Sequence, residues 1–564
     1  MVNSIIQWNC RGLKPNFNEV QLLIQKYNPL AICLQETFLR NSDTLSFRHF
    51  VGYHHHAVGD GRAHGGVSII LNGDIPQSKV TLNSPLQAVA VRVTLHIPIT
   101  LCSVYLPPSL QLNPRDLDDL VAQLPLPFII TGDFNGHHSL WGSPDDNNRG
   151  KQIADFININ NLCLLNDDSP TYLHPATASF SSLDLTICSP VLFQDFTWRV
   201  NENLCGSDHF PIIIDNNGPS PVERPQRWKL HKADWALFES LCLFSFDTKE
   251  IEDADESMAL FTSILQDVAE QAIPKTTTEP KRFNKPWFND DCKSALKERD
   301  RILRRLKKHP SMENIAAFQM VWAKARRTIR QAKKASWQSY VSRINSRTTS
   351  KSVWDRIRRI NGKSSALSVN HLNVDNITLT TFPDIANSLA STFSFNSSSN
   401  FSSDAFRGIR QQQEKRRLNF KSRNDECYND RFSIAELRDS LKRARDTATG
   451  PDEIHYQILK HLPYPTLLIL LDLFNRIWVD GNFPPSWHEA TIIPIPKPGK
   501  DHTNPTNYRP IALTSCICKT MERLINPTTS LLTSNVDFGP KGALLIISLD
   551  LKRSSGTLSS RSNI

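Results

Sequence analysis

The chain has 564 residues, of which 39% are hydrophobic and 21% charged, and a formal net charge of +9. This length predicts two or more globular domains and is sufficient to bury a core. Eleven cysteines without a Cys-x-x-Cys pair argue against a disulfide framework or a zinc site. No signal peptide and no membrane-spanning run is visible, so we expect a soluble intracellular protein that does not contact membranes.

Strand-like and helix-like patterns alternate through the first 217 residues. Two apolar helical stripes fall at residues 20–27 and 117–124. Apolar runs typical of strands fall at residues 5–8, 31–34, 67–71, 89–95, 99–105, 126–131, 183–187 and 210–214. This pattern predicts an α/β fold in which two sheets pack face to face with helices outside, a four-layer sandwich.

Polar side chains fall repeatedly at one end or the other of these strands. They are Asn9, Glu36, Tyr105, Asp133, Asn135, Asp184, Asp208 and His209. Taken singly, each is more often a loop or capping residue than a catalytic one. Taken together in this order, they are predicted to converge on one end of the sandwich, where a rigid scaffold can hold reacting groups.

Six short motifs carry a resemblance to a known family. They are residues 8–12 (WNCRG), 35–37 (QET), 104–105 (VY), 132–135 (GDFN), 182–185 (SLDL) and 206–209 (GSDH). In this order they resemble the motifs of the exonuclease-endonuclease-phosphatase superfamily, which includes apurinic/apyrimidinic endonucleases and deoxyribonuclease I. Arg11 departs from the repair enzymes, which tend to carry an acidic residue there, although retroelement members commonly read WNCRG.

The resemblance implies a role for each residue in cleaving a phosphodiester. Glu36 is expected to be the principal ligand of Mg²⁺, with Asn9 and Asp208 close by, and Mn²⁺ is expected to substitute. Asp133 is expected to align and deprotonate the attacking water, helped by Asn135.

The remaining three residues are expected to act on the phosphate. His209 would donate to a phosphate oxygen while Asp184 orients it and keeps it protonated. Tyr105 would hydrogen-bond the developing oxyanion. The expected product is a nick with a 3′-hydroxyl. A run of histidines at residues 54–56 is, by contrast, interpreted as a solvated loop rather than a metal site.

Basic charge is concentrated in the middle of the chain. Residues 281–363 contain 24 Lys and Arg against 6 Asp and Glu, an excess of 18, so the rest of the chain sums to −9. Apolar residues at helical spacing on both sides of Pro310 predict a helical hairpin with tryptophans interleaved among the charges. The charges could be only a solvated face, but an excess of this size favours contact with DNA or RNA.

The last third resembles a second family. Residues 487–499 and 507–515 are similar to the fingers motifs of reverse transcriptases of non-LTR retrotransposons of the jockey or I-element type. The resemblance implies that Lys497 and Arg509 face a nucleoside triphosphate and that Asp550, in a palm-like strand, is a metal carboxylate. However, residues 552–556 lack the Ala-Phe-Asp expected there, and no Asp-Asp strand follows. We therefore expect the polymerase part to be truncated and inactive.

These resemblances together predict a Mg²⁺-dependent DNA endonuclease of a non-LTR retrotransposon. It would nick target DNA to prime reverse transcription, with DNA and element RNA as partners and the nucleus as its site of action. Two alternatives stay open, a phosphoesterase for a small molecule or lipid and a non-catalytic nucleic-acid-binding relic. The predicted regions are an endonuclease at 1–217, a linker and helical segment at 218–280, the hairpin at 281–363, a low-complexity linker at 364–430, partial fingers at 431–535 and a degenerate palm start at 536–564.

Overall fold

The structure is a computed structural model that divides the chain into two compact units. The first unit comprises residues 1–224 and 279–385, and the second comprises residues 225–278 and 386–564. The residues described are 4–43, 45–56, 64–218, 226–246, 254–276, 287–345, 348–350, 353–354, 357, 369–375, 377–397, 404–414, 430–481 and 483–532.

Strands dominate the first part of the chain and helices the rest. The strands are β1 (Ser4–Asn9), β2 (Ala31–Gln35), β3 (Phe50–His55), β4 (Val67–Asn72), β5 (Gln77–Val80), β6 (Gln87–Thr94), β7 (Pro98–Tyr105), β8 (Phe128–Asp133), β9 (Cys163–Leu164), β10 (Tyr172–Leu173), β11 (Phe180–Ser181), β12 (Asp184–Cys188), β13 (Phe196–Val200), β14 (Ile212–Asn216), β15 (Leu372–Val374), β16 (Ile377–Leu379), β17 (Thr491–Pro496) and β18 (Tyr508–Leu513).

The helices are α1 (Leu13–Tyr27), α2 (Pro114–Ala122), α3 (Asn148–Ile159), α4 (Trp235–Ser245), α5 (Ala254–Ala272), α6 (Asp290–Lys308), α7 (Met312–Val341), α8 (Phe382–Ser397), α9 (Asp404–Glu414), α10 (Ile434–Arg443), α11 (Tyr456–Lys460), α12 (Tyr464–Asp480) and α13 (Cys516–Leu532). Within the described part of the chain, none of them is both long and apolar enough to cross a membrane.

Two six-stranded sheets form the centre of the first unit. Their strand orders are β13-β14-β1-β2-β4-β3 and β5-β6-β7-β8-β12-β9. One apolar cluster lies between the sheets, a second lies against α1, and a third includes α2 and α3. The layers therefore run helix, sheet, sheet, helix, and the predicted four-layer sandwich is confirmed.

The central strand β8 requires a glycine where it passes β7. A Cβ atom on Gly132 would lie 1.8 Å from the carbonyl oxygen of Val104 on the neighbouring strand. Only glycine allows this close approach of two backbones in the sheet. The glycine therefore fixes the parallel register of β7 and β8 just before both strands end at the same edge.

Helices α6 and α7 form the predicted basic hairpin, and it belongs to the first unit. Helix α6 ends at Lys308, before Pro310, and Ser311 then caps α7 by accepting a hydrogen bond from the amide of Asn314. The inner face of the hairpin packs on the sandwich in one apolar cluster. Its buried members are Leu173, Ala178, Leu204, Phe210, Ile302, Leu303, Leu306, Ile315 and Phe318.

The second unit is mainly helical. Its core combines side chains of α4, α5 and the segment from residue 432 to residue 524, including Phe238, Tyr456 and Phe474. The strands β17 and β18 pair antiparallel and form a separate two-stranded sheet. This hairpin carries the residues expected to form the polymerase fingers.

Two regions differ from the sequence-based expectations. The region expected as a low-complexity linker contains the strand pair β15–β16 and the helices α8 and α9, so residues 391–397 are helical. His54 and His55 lie in strand β3 rather than in a solvated loop, and His54 Nδ1 is 2.8 Å from Ser68 Oγ. The ten cysteines in the described residues are all free, as expected from their spacing.

Candidate active site

The register of the second sheet brings three of the candidate residues into one row. Tyr105 is paired with Asp133 across the parallel strands β7 and β8, and Asp184 is paired with Asp133 across the antiparallel strands β8 and β12. In the first sheet, Asn9 ends β1 beside Gln35, which ends β2. Strand pairing alone therefore places the candidate residues at one end of the sandwich.

Asn9 links the two sheets at this end. Its Nδ2 donates to Asp133 Oδ2 at 2.8 Å and to Glu36 Oε1 at 3.1 Å. The hydroxyl of Tyr105 donates to the same Glu36 oxygen at 2.9 Å. Asn9 and Asp133 are 1% exposed, so these bonds lie in a desolvated site where they are stronger than in water.

His209 lies between two carboxylates. Its Nδ1 is 2.8 Å from Asp184 Oδ2, and its Nε2 is 3.8 Å from Asp133 Oδ2. The other oxygen of Asp184 accepts a hydrogen bond from Gln7, and the amide of Asp184 donates to Thr171. The imidazole is therefore held at one nitrogen, while the other is directed toward Asp133.

The electrostatics of this pair follow from burial and charge. Burial alone would lower the pKa of His209, but the carboxylates of Asp184 and Asp133 outweigh it and raise the pKa to about 10. Burial raises the pKa of Asp133 to about 7, although the nearby His209 opposes the shift. Burial, followed by the charge of Glu36, raises the pKa of Tyr105. At neutral pH the histidine is thus charged and Asp133 is near its titration point, a tuning typical of catalytic groups.

Asp208 and Asn135 lie at the edge of this network. Asp208 Oδ2 is 2.6 Å from Arg11 Nη1, so the arginine that departs from the repair-enzyme pattern forms an ion pair inside the candidate site. Asn135 donates from Nδ2 to the carbonyl of Leu106 and from its backbone amide to Asp133 Oδ1.

Several backbone conformations near the site are left-handed. The φ angles of Arg11, Glu36 and Asn135 are 45°, 47° and 51°. Non-glycine residues rarely adopt such angles, at a cost of about 1–3 kcal/mol each, and they cluster at functional sites. The strain here falls at the ends of β1, β2 and β8, where the chain must direct polar side chains into one cleft.

A cleft of about 660 Å³ opens at this end of the sandwich. Six of the residues lining it are Arg11, Glu36, Asp133, Asn135, Asp208 and His209. Five of these six were candidate site residues from the sequence. Arg11 was discussed there only as a departure from the family pattern.

The donor chemistry of the cleft fits a hard divalent cation. Glu36 and Asp208 provide carboxylates at the cleft, the oxygen donors that Mg²⁺ and Mn²⁺ prefer. Asn9, buried beside Glu36, has an amide carbonyl that already accepts a hydrogen bond from the backbone amide of Arg11 at 3.2 Å. A second group, Asp133, Asp184 and His209, has ligand atoms within 4.8 Å of one another. In that group Asp184 and His209 already bond each other, whereas Glu36 lines the cleft, so the two groups are alternative positions for a cation.

The sequence analysis missed several residues that support this network. Gln7 donates to both Gln35 and Asp184, Arg149 donates to the carbonyls of Pro107 and Leu110, and the Tyr172 ring lies 4.7 Å from that of His209. Gln7 could have been found, because a glutamine inside an apolar strand requires a buried partner. No signal in the sequence indicates Arg149 or Tyr172.

The expected nucleotide-binding residues lie in the second unit. Arg509 is on β18, exposed and paired with Ile495, and Lys497 follows β17 and donates from Nζ to the carbonyl of Thr506. Asp550 lies outside the described residues. The structure thus places Lys497 and Arg509 on one hairpin, and their relation to Asp550 stays a prediction.

Known proteins provide a comparison for both parts of the chain. Residues 99–213 match the family described as "Endonuclease-reverse transcriptase". The RNA-directed DNA polymerase from the mobile element jockey of Drosophila melanogaster is 26% identical over 538 residues, which cover 92% of this chain and 57% of the relative. The chain is thus similar over most of its length to a protein of a mobile element.

A second protein of a mobile element is similar to the chain over the same share of its length. The probable RNA-directed DNA polymerase from transposon X-element of the same organism is 25% identical over 92% of this chain. The chain spans less than three-fifths of the length of these two proteins, 57% and 58%.

Solved structures align with part of the chain. The endonuclease domain of TRAS1, a telomere-specific non-LTR retrotransposon, aligns at 24% identity over 38% of this chain and 97% of its own length, with a TM-score of 0.33. The apurinic/apyrimidinic endonuclease LMAP from Leishmania major aligns at 15% identity over 38% of this chain and 88% of its own, also with a TM-score of 0.33.

Proposed function

We propose that the first unit is a Mg²⁺-dependent DNA endonuclease that leaves a 3′-hydroxyl, which primes reverse transcription at the target site. The observation that supports this most directly is His209, which is held by Asp184 and lies 3.8 Å from Asp133 at the base of an acidic cleft. A charged histidine beside a carboxylate of raised pKa suits phosphodiester hydrolysis, which needs both a base and a stabilised phosphate.

Glu36, with Asn9 and Asp208, would hold the cation, which when bound neutralises charge on the phosphate. Asp133 takes a proton from the attacking water, whose oxygen forms a bond to phosphorus as the bond from phosphorus to the 3′-oxygen breaks. A proton then reaches the 3′-oxygen, and the products are a 3′-hydroxyl and a 5′-phosphate.

The remaining candidate residues stabilise the phosphate or position the groups that act on it. His209 donates from Nε2 to a phosphate oxygen, because Asp184 keeps it protonated and oriented. Asn135 helps to orient Asp133 through the backbone bond to Oδ1. The Tyr105 hydroxyl donates to Glu36 in this structure, and we propose that it turns to the oxyanion as charge develops on the phosphate.

The experiment that tests this proposal is nicking of supercoiled plasmid by the purified full chain, with Mg²⁺, with Mn²⁺ and with chelator. The expected result is a cation-dependent open circle. An added DNA polymerase should extend the nick without phosphatase treatment, which identifies a 3′-hydroxyl. Intact plasmid under all cation conditions would contradict the proposal.

The same assay separates the two alternatives. A phosphoesterase for a small molecule or lipid would release phosphate from soluble inositol phosphates while plasmid stays intact. A non-catalytic relic would bind DNA without either reaction. The relationship to retrotransposon proteins favours DNA as the substrate, because the fold itself also supports lipid and inositol phosphatases.

We also propose the nucleic-acid partners and the cellular site of action that are expected from the sequence. The hairpin α6–α7 carries 14 Lys and Arg against 5 Asp and Glu and would contact phosphates of the target DNA or the element RNA. The nucleus would be the site of action, since the proposed substrate is chromosomal DNA.

A further inference from the structure

The loop that follows β13 carries two of the proposed active-site residues. Residues 201–211 connect β13 to β14 and contain Asp208 and His209. Its backbone is left-handed at two consecutive positions, with φ angles of 53° at Cys205 and 97° at Gly206. Such a loop keeps its conformation only when neighbouring groups hold it.

Helix α6 holds this loop from one side. Asn203 donates from Nδ2 to Asp300 Oδ1, and Leu204 packs in the apolar cluster that contains Leu303 and Leu306. The Nζ of Lys307 lies 4.2 Å from the centre of the Phe210 ring, next to His209 in the chain. Contacts from α6 therefore fall on both sides of the two active-site residues.

Helices α1 and α7 enclose the turn at Gly206. A Cβ atom there would lie 2.7 Å from Asn16 Oδ1 on α1 and 3.3 Å from Cζ2 of Trp322 on α7. Asn16 also donates to the carbonyl of Cys10, the residue before Arg11, and Arg11 pairs with Asp208. The turn thus lies between the hairpin and the strand end that carries the other half of the site.

A buried ion pair connects the hairpin to α1 beside this loop. Arg299 Nη1 lies 3.0 Å from Glu19 Oε1, and the two residues are only 4% and 5% exposed. The buried Cys205 lies near both charges. Burial raises the pKa of its thiol, Glu19 raises that pKa further and Arg299 lowers it. A buried pair of this kind favours one arrangement of the helices, because separation would leave Arg299 with only the longer contact of its Nε to Asp300 Oδ1, at 3.7 Å.

We propose that the hairpin is a clamp for the nuclease site, and that Arg299 is a positioning residue that acts through the loop bearing Asp208 and His209. This inference rests on the proposed endonuclease function. Arg299 touches neither substrate nor reacting atoms. Its effect arises because displacing catalytic groups by about 1 Å can lower a rate on the order of 100-fold.

The test uses the full chain and two measurements, nicking kinetics with Mg²⁺ and amide hydrogen exchange of residues 201–210. Arg299→Met is expected to raise exchange in this loop and to lower kcat at least about 10-fold with little change in KM. Arg299→Lys, which keeps the charge, should recover part of both. The matched control is Arg115→Met, which removes an exposed arginine from α2, far from the loop in the chain, and should leave kcat and loop exchange unchanged.

A second variant covers the case in which Arg299→Met does not fold. Asp300→Ala removes the acceptor of Asn203 from a half-buried position, and it should raise loop exchange and lower kcat to a smaller degree. Folded variants with wild-type kcat and wild-type loop exchange would overturn the clamp, as would equal losses in Arg115→Met. If the wild-type chain fails to nick at all, the proposed function is wrong, and loop exchange still decides whether the clamp exists.

Discussion

Asp133 is subject to opposing influences at one buried position. It accepts a hydrogen bond from Asn9 and lies near His209, which favour its charged form, while burial and the nearby Asp184 and Glu36 favour its neutral form. Burial is the largest of these effects, so the pKa is raised to about 7. A carboxylate in this state can accept a proton from water at neutral pH.

Replacing Asp133 with asparagine should lower plasmid nicking by roughly 10²- to 10⁴-fold, the usual contribution of a positioned acid or base. The measurement is the initial rate of open-circle formation at saturating Mg²⁺. Asp155→Asn is the control, because Asp155 is exposed on α3 and should leave the rate unchanged. A wild-type rate in Asp133→Asn would rule out the role assigned to this residue.

The raised pKa of His209 predicts how stability depends on pH. The charged imidazole is favoured in the folded state, so its stabilisation is complete below the unfolded pKa of about 6.5 and is lost as pH rises through about 10. The pKa of Asp133 is also raised in the folded state, so this residue lowers the free energy of unfolding as pH rises to about 7 and has no further effect above that pH. Between pH 7 and 10, the wild-type free energy of unfolding should therefore fall on the order of a few kcal/mol.

Asp184→Asn should reduce the fall in the free energy of unfolding between pH 7 and 10, because it removes the charge that contributes most to the raised pKa of His209. The measurement is urea unfolding of wild type and variant at several pH values in the absence of divalent cations. Groups that titrate equally in both proteins cancel in the comparison. Parallel curves for the two proteins would show that Asp184 does not hold the histidine in its charged form.

At the scale of the element, the basic hairpin α6–α7 has two different faces. The inner face contacts the sandwich through apolar side chains and the buried Arg299. The outer face carries exposed cations such as Lys324 and Arg327. Deleting the whole hairpin would disturb both, so neutralising outer cations is the better test of nucleic-acid binding.

Lys324→Gln combined with Arg327→Gln should weaken binding to duplex DNA and reduce the log–log salt slope by up to about 1.8, at about 0.9 per lost phosphate contact. The measurement is binding of a fluorescent duplex at several salt concentrations. Lys79→Gln combined with Lys151→Gln removes the same charge from exposed positions on the sandwich. If both double variants give the wild-type slope, the outer face of the hairpin is only solvated.

Across the whole molecule, the compact unit that contains the proposed nuclease site extends beyond the six sequence motifs of that site. All six nuclease motifs lie within residues 1–217, whereas the hairpin that covers Leu204 and Phe210 comes from residues 290–341. A chain of residues 1–217 should therefore still nick DNA, since it retains every candidate residue, but at least about 10-fold more slowly than the full chain, because the clamp is absent. It should also unfold at lower temperature than the nuclease unit of the full chain, because each uncovered Leu or Phe loses about 1.5–3 kcal/mol of burial.

The measurements are thermal unfolding and nicking by the short and full chains at equal concentration. Binding of a dye specific for exposed apolar surface should increase in the short chain. Equal unfolding temperatures and equal dye binding would show that the hairpin adds nothing to the stability of the sandwich.

The polymerase part of the chain is expected to be inactive. Metal-dependent nucleotide transfer needs carboxylates that bridge two ions, and the sequence after Asp550 departs from the expected Ala-Phe-Asp. We therefore expect no nucleotide incorporation on a primed RNA template with Mg²⁺ or Mn²⁺, even while the chain nicks DNA. Incorporation above a no-enzyme control that is lost in Asp550→Ala would contradict this expectation.

The fold of the first sandwich and the residues of its candidate site could be predicted from the order of residues along the chain. Alternating apolar runs indicate strands because side chains in a strand point to opposite faces, and polar residues at strand ends indicate a shared edge. For this reason Asn9, Glu36, Asp133 and His209 could be named before any coordinates were known. The helical break at Pro310 is equally local, because proline lacks the amide that a helix interior requires.

Which of these groups are in contact, and which elements pack over them, depends on long-range packing. The ion pair of Arg11 with Asp208 joins residues 197 positions apart, and that of Arg299 with Glu19 joins residues 280 positions apart. Neither pair leaves a periodic signal, because each depends on how separate elements pack rather than on spacing within one element. The same reason explains why composition predicted a basic hairpin but gave no indication that it packs on the nuclease loop.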